Sequence, residues 1–150
     1  YFYNWPEYAP LDPELDDPDA VAHIQKSYAG TLAMADFWLG KMLDKMDEHD
    51  LWKDTVLVLT TDHGHLLGEH GYWAKNYMLD YNELAHIPLL VCAPEIKQPG
   101  TRVQALTATI DLMPSFMDWH GADLPPHVQG RSFRHLLERD EPHHESVLFG

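Results

Sequence analysis

The chain has 150 residues, about the modal size of one domain and enough to bury a core. Hydrophobic residues make up 45% and charged residues 23%, ordinary figures for a globular protein, and no apolar run approaches the roughly 18 residues that cross a membrane. Acids outnumber bases 24 to 10, a net charge of -14, which argues against a nucleic-acid partner because phosphate contacts need clustered Lys and Arg. One cysteine, Cys92, excludes an internal disulfide and any multi-thiolate metal site, while 11 histidines direct attention to imidazole ligation. The chain opens at Tyr1 instead of Met, which reads as a processed protein or a piece of a longer one. No localisation can be assigned from it.

In chain order, residues 1–18 read as an irregular arm rich in Pro, Asp and aromatic residues; their four prolines disfavour both a long helix and a central strand. A helix then starts with Asp17 as N-cap and Pro18 at its first position. Apolar residues recur at Val21, Ile24, Tyr28, Leu32, Ala35, Leu39, Met42, Leu43 and Met46, a period near 3.6, and the helix is expected to end at His49 or Asp50. Thr55 to Thr61 is short, apolar and rich in β-branched residues, the reading of a strand buried on both faces of a parallel sheet. Ile87 to Cys92 reads as a second such strand. A further strand is expected over Thr101 to Ile110, then a helix from Asp111, its N-cap, to His120, stopped by Gly121. Ser132 is placed to cap a short helix running to Arg139, and Val147 to Phe149 reads as a last strand. Helix, turn and buried strand make half of a βαβ unit, so the fold class is α/β.

Chemistry concentrates between Thr61 and Lys75, where Asp62-His63-Gly64-His65 and Gly68-Glu69-His70-Gly71 leave the first strand. Asp62 and His63 follow the carboxyl end of that strand, the edge at which open α/β sheets bind ligands. A carboxylate and an imidazole offer one oxygen and one nitrogen to a divalent cation. Lys75 is far enough along to fold back over the same edge, where an ammonium would neutralise a tetrahedral sulfate or phosphate oxyanion. Each residue also has an ordinary reading: Asp-His-Gly as a turn with Asp capping its own backbone, His65 and His70 as hydrogen-bonded loop residues, Lys75 as a solvated surface side chain.

The run Thr-Thr-Asp-His-Gly-His-Leu-Leu-Gly-Glu-His-Gly-Tyr-Trp-Ala-Lys, followed by His-Ile-Pro-Leu-Leu-Val, resembles the downstream half of the sulfatase family of the alkaline-phosphatase superfamily. Tyr28 to Gly40 resembles the family's preceding helix. Thr109 to Ser115, with Gly121, Gly130-Arg131-Ser132-Phe133 and Leu136-Leu137, resembles its following helix and loop. The likeness covers most of residues 24 to 150. It implies part of an α/β/α sandwich with a mostly parallel sheet. It also implies a sulfuric ester hydrolase acting on small-molecule or saccharide sulfate esters through a formylglycine nucleophile. Asp62 and His63 match metal ligands, usually for Ca²⁺, with Mg²⁺, Mn²⁺ or Zn²⁺ as alternatives. Lys75 matches the lysine that contacts the sulfate and stabilises charge during transfer. His70 matches a motif histidine on the substrate side whose contact is unassigned, and His65 stands where the family often has an acid.

The formylglycine motif, Cys/Ser-x-Pro-x-Arg, is absent from these residues. Cys92-Ala93-Pro94-Glu95-Ile96 imitates its start, but Ile96 replaces the arginine and the order along the chain is wrong; Cys92 is expected instead to be a small buried apolar residue at a strand end. The chain alone is therefore expected to be inactive, its nucleophile and half of its metal shell lying elsewhere. Two further readings stay open: a phosphonate monoester or phosphodiester hydrolase of the same superfamily, and a non-catalytic module in which Asp62, His63 and His65 hold Zn²⁺ or serve structure only.

Overall fold

The computed structural model describes residues 17–75 and 80–147. The arm over residues 1–16 and all but the first residue of the strand expected at Val147 to Phe149 fall outside them. The chain divides into two compact units, Tyr1–Leu90 and Val91–Gly150.

The first unit opens with α1 (Pro18–Glu48), a 31-residue helix capped as its sequence dictates. Asp17 is extended and its carboxylate accepts the Asp19 N–H at 3.1 Å, while Pro18 fills a position whose N–H has no intrahelical partner in any case. The C-cap is His49, and Asp50 turns left-handed into a 3-10 turn over Leu51–Lys53. Met46 is buried and Val21, Ile24, Leu39 and Leu43 are half-buried, but Leu32, Met34, Phe37 and Trp38 are each more than half exposed.

Strand β1 (Leu57–Thr60) pairs with β4 (Leu89–Cys92), the strand within which the chain passes from the first unit to the second. Between them lie the antiparallel pair β2 (Leu66–Leu67) and β3 (Trp73–Ala74), and a single helical turn, α2 (Asn82–Ala85). The mostly parallel sheet is not what these residues form: the described strands make two two-stranded sheets. Neither β1 nor β4 is buried on both faces. Leu59 is 40% and Leu90 57% exposed, so the continuous apolar runs have only part of the cover that a doubly covered strand needs. Cys92 is exposed, which corrects its expected burial; in β4 half-burial alternates and Cys92 falls on the open side.

The second unit is organised by α3 (Leu112–Trp119) and a 3-10 turn, Arg134–Leu137. Trp119 packs edge-on against buried Phe133, and Trp119 Nε1 donates to Glu95 at 2.6 Å. Arg134 closes the same group, its Nε 3.1 Å from Glu95 and its Nη1 3.6 Å from Asp118. The N-cap of that turn is Phe133, not Ser132, and no side chain caps it; Ser132, one residue earlier, accepts the Arg134 N–H at 3.2 Å, and the turn ends at Leu137 instead of Arg139. The strand expected over Thr101 to Ile110 is reduced to one bridge, Leu106 with His144. Side-chain carboxylates take the N–H groups a ladder would have used: Asp140 accepts from Gln104 and Ala105, and Asp111 accepts from Ala108. Asp111 does occupy the N-cap position of α3, but its side chain makes no hydrogen bond to that helix. It closes a 3-10 turn, Thr109–Asp111, in helical backbone conformation.

Three outcomes follow for stability. Gly130 lies so close to the preceding turn that an added Cβ would sit 2.0 Å from the Ile110 carbonyl oxygen, whereas Gly30 in α1 has open space around it. Gly130→Ala is expected to cost about 1–3 kcal/mol and Gly30→Ala to gain about 1 kcal/mol, both measured by urea unfolding. At Glu95, desolvation raises the carboxyl pKa, but the hydrogen bonds from its own backbone N–H and Trp119 and the Arg134 charge outweigh it and hold the group below its ordinary value. A depressed pKa contributes stability that is present above the unfolded value and lost as pH falls through the folded one. Unfolding free energy measured downward from about pH 4.5 should therefore fall less steeply in Glu95→Gln than in the parent.

Candidate active site and metal ligands

The Asp62–Lys75 segment is shaped by two backbone constraints. Gly64 donates its N–H to the Leu84 carbonyl at 2.9 Å, and a Cβ there would fall 1.7 Å from the Glu83 carbonyl oxygen. Only glycine lets the Asp-His-Gly loop approach α2 this closely. The second constraint is the β2–β3 register, in which Leu66 faces Ala74 and Leu67 faces Trp73. Gly68, left-handed at φ 108°, begins the reversal, and its N–H bonds the Tyr72 carbonyl at 3.0 Å. Leu66, Trp73 and Ala74 are all buried, so the pair is pinned by apolar contacts as well as by hydrogen bonds. One step beyond Ala74, that register carries Lys75 back to the Asp-His-Gly loop.

There the structure brings three of the four sequence-identified residues together. His63 Nε2 lies 3.2 Å from Asp62 Oδ2 and is in contact with Lys75 Nζ. Its Nδ1 faces the Gly64 carbonyl at 2.7 Å. A carbonyl only accepts, so Nδ1 donates to it, which leaves Nε2 as the nitrogen through which the ring would bind a metal. Asp62 is exposed; slight desolvation raises its pKa, but the His63 N–H bond, the His63 charge and the Thr61 hydroxyl prevail and hold the carboxyl below its ordinary value. One carboxylate oxygen and one imidazole nitrogen thus share an edge with the Lys75 side chain.

His70 is held apart from that edge by other partners. It is left-handed at φ 58°, its ring stacks on Tyr81 at 3.8 Å between centroids, and its Nε2 lies 3.2 Å from Glu83 Oε2. His65 stacks on Tyr28 of α1 at 5.8 Å. Burial, followed by the charges of His63 and Lys75, pushes the His65 pKa below its ordinary value against the opposing pull of Glu69. Gln25 adds a second tie between α1 and the hairpin, donating to the Leu67 carbonyl at 2.9 Å.

A further cluster, in the second unit, escaped the sequence reading. Asp111, His143 and His144 each offer a ligand atom, and these atoms lie within 4.8 Å of one another. Asp111 is fully buried; its Oδ1 accepts from the Arg131 N–H at 3.0 Å, and its Oδ2 from Ala108 at 2.9 Å and His144 Nε2 at 2.8 Å. Desolvation raises its pKa, but these bonds together with the His144 charge outweigh it and hold it below the usual value. Nothing periodic announces the cluster. Asp111 looks like a helix cap, and the one usable signal is an adjacent histidine pair 32 residues downstream (143 − 111).

The sulfatase family model matches residues 1–122, more than half of the chain. The chain belongs to the sulfatase family. It is similar to N-acetylglucosamine-6-O-sulfatase of Bacteroides thetaiotaomicron, 30% identical over 77% of this chain and 20% of that protein. The multifunctional alkaline phosphatase superfamily protein PehA of Trinickia caryophylli is 30% identical over 84% of the chain and 24% of its own length. Human arylsulfatase K is 32% identical over 75% and 20% respectively. Among solved structures, that of BT4656 in complex with its substrate D-glucosamine-2-N,6-O-disulfate aligns with TM-score 0.61 and 30% identity over 69% of this chain and 20% of that one. The chain therefore spans about a fifth to a quarter of the relatives it matches. It is a mixed helix-and-strand portion of the sulfatase fold, and members of the family typically bind a metal. No described helix is long and apolar enough to cross a membrane.

The close approach at Gly64 yields a direct test. Gly64→Ala should cost about 1–3 kcal/mol through forced backbone displacement, with faster hydrogen exchange concentrated at the Gly64 and Leu84–His86 amides.

Proposed function

We propose that the chain is part of a sulfatase domain that hydrolyses sulfate monoesters, with a sulfated saccharide as the best-supported substrate class. The observation that carries this reading is the meeting of Asp62 Oδ2, His63 Nε2 and Lys75 Nζ at one loop edge. At this edge Asp62 and His63 are the residues that would hold a divalent cation. Their donors, 3.2 Å apart, have the spacing of adjacent ligands on one ion. A bound dication, Ca²⁺ in the commonest case for the family, supplies polarisation of the ester oxygens and orientation of the attacking group.

The remaining work belongs to the chain's own side chains. His63, its Nδ1 held by the Gly64 carbonyl, would offer Nε2 to such an ion. Lys75, exposed and one residue past the rigid hairpin, places a fixed positive charge where the sulfuryl oxygens gather negative charge. His70, bound to Glu83 and stacked on Tyr81, holds the loop on the substrate side of the ester. No Cys/Ser-x-Pro-x-Arg motif lies within these 150 residues, so the chain by itself should not turn over an aryl sulfate in the presence of Ca²⁺ or Mg²⁺.

The similarity to PehA favours a second reading, a phosphonate monoester or phosphodiester hydrolase built on the same ligands and lysine. Relative turnover of matched sulfate and phosphate esters separates the two. In either case Lys75→Ala in the catalytically complete protein should lower kcat by about 10²–10³-fold while metal content, measured by mass spectrometry, is unchanged. Unchanged kcat would leave Asp62 and His63 as a structural metal pair.

A further inference from the structure

His143 presents an anomaly that hydrogen bonding within the chain does not resolve. Its side chain is 1% exposed, yet neither Nδ1 nor Nε2 has a hydrogen-bond partner. A neutral imidazole has one donor and one acceptor, and leaving such groups dry and unpaired costs roughly 1–3 kcal/mol each. Asp111 Oδ2 stands 3.4 Å from Nε2 without making that bond, because it is already taken by Ala108 and His144.

We propose that Asp111, His143 and His144 form a binding site for a transition-metal dication, with Zn²⁺ the best match, which ties the segment around His144 to the start of α3. The donor set is one carboxylate oxygen and two imidazole nitrogens, a combination that suits zinc. Tetrahedral ligands about 2.0 Å from an ion lie roughly 3.3 Å apart, and Asp111 Oδ2 to His143 Nε2 is 3.4 Å. An ion between them would give Nε2 the partner it lacks. Asp111 retains its Arg131 N–H bond through Oδ1 and so stays oriented. This site belongs to the second unit and shares no residue with Asp62, His63 and Lys75.

One contact opposes the ion and makes the proposal discriminating. Arg131 Nη2 lies 2.9 Å from His144 Nδ1. A guanidinium only donates, so that nitrogen holds a lone pair and Nε2 carries the proton given to Asp111. Ligation through Nε2 moves the proton to Nδ1, with no net release, and the exposed Arg131 side chain must then swing away. Removing this guanidinium should tighten metal binding by roughly tenfold, the worth of one charge-assisted hydrogen bond.

The experiment uses the chain carrying Asp62→Asn and His63→Gln, so that the first ligand pair is silent, and measures Zn²⁺ binding by calorimetry. One Zn²⁺ per chain is expected. His143→Ala should weaken binding on the order of 100-fold or more, and Arg131→Ala should tighten it. Co²⁺ in the same background should give the intense visible bands of a tetrahedral ion, a readout that needs no further variant at the cluster. Absence of stoichiometric binding, affinity indifferent to His143→Ala, or Arg131→Ala leaving affinity unchanged would each overturn the proposal. Any of these would leave a buried histidine–carboxylate knot, with the reading of Asp62, His63 and Lys75 untouched.

Discussion

The arrangement of the loop edge depends on a two-residue antiparallel pairing. Leu66 opposite Ala74 and Leu67 opposite Trp73 is a short ladder, but it converts a separation of 12 residues (75 − 63) into contact between Lys75 and His63. Buried Leu66 and Trp73 supply the apolar grip, and the missing side chain of Gly64 lets the other half of the loop settle on α2. A register slip of one residue would turn Lys75 away and expose Leu66 and Trp73, so packing and placement are enforced together.

The two Asp–His groupings of the chain show how burial changes the same pair of functional groups. Asp62 is open to water: its Oδ1 accepts from the His63 N–H and the Thr61 hydroxyl, while its Oδ2, 3.2 Å from His63 Nε2, stays accessible to something that arrives from solvent. Asp111 has no exposure and is engaged through both oxygens, so it organises the 3-10 turn before α3, the Arg131 backbone and His144 before any ion is considered. Gly130 takes part in this order, since its bare backbone is what brings the Arg131 N–H up to the Asp111 turn.

Much of the first unit was legible in the sequence, because its signals are local. Asp17-Pro18 marks a helix start by its own chemistry, Thr55 to Thr61 contains a strand by composition, and Asp62, His63 and Lys75 stand out by residue type and family likeness. The sequence misled where the outcome depends on what lies across a face. Apolar runs at β1 and β4 predict burial on both sides, yet Leu59, Leu90 and Cys92 remain open. Thr101 to Ile110 carries strand propensity, but Asp140 and Asp111 claimed its amides from 35 residues downstream and 3 residues on. Asp111 takes the N-cap position its sequence suggests, and its union with His143 and His144, a long-range event, leaves no local trace.

Ala74 bears on how the lysine works. It is buried and left-handed at φ 65°, a conformation that costs an L-residue roughly 1–2 kcal/mol. Glycine would adopt it freely but would also let the following residue wander. Alanine admits few backbone alternatives there, so the stem of Lys75 starts from a nearly fixed direction. Under the role proposed for Lys75, less configurational entropy would then remain to be lost when its ammonium closes on an anion, part of the affinity being installed as stiffness before any ligand arrives.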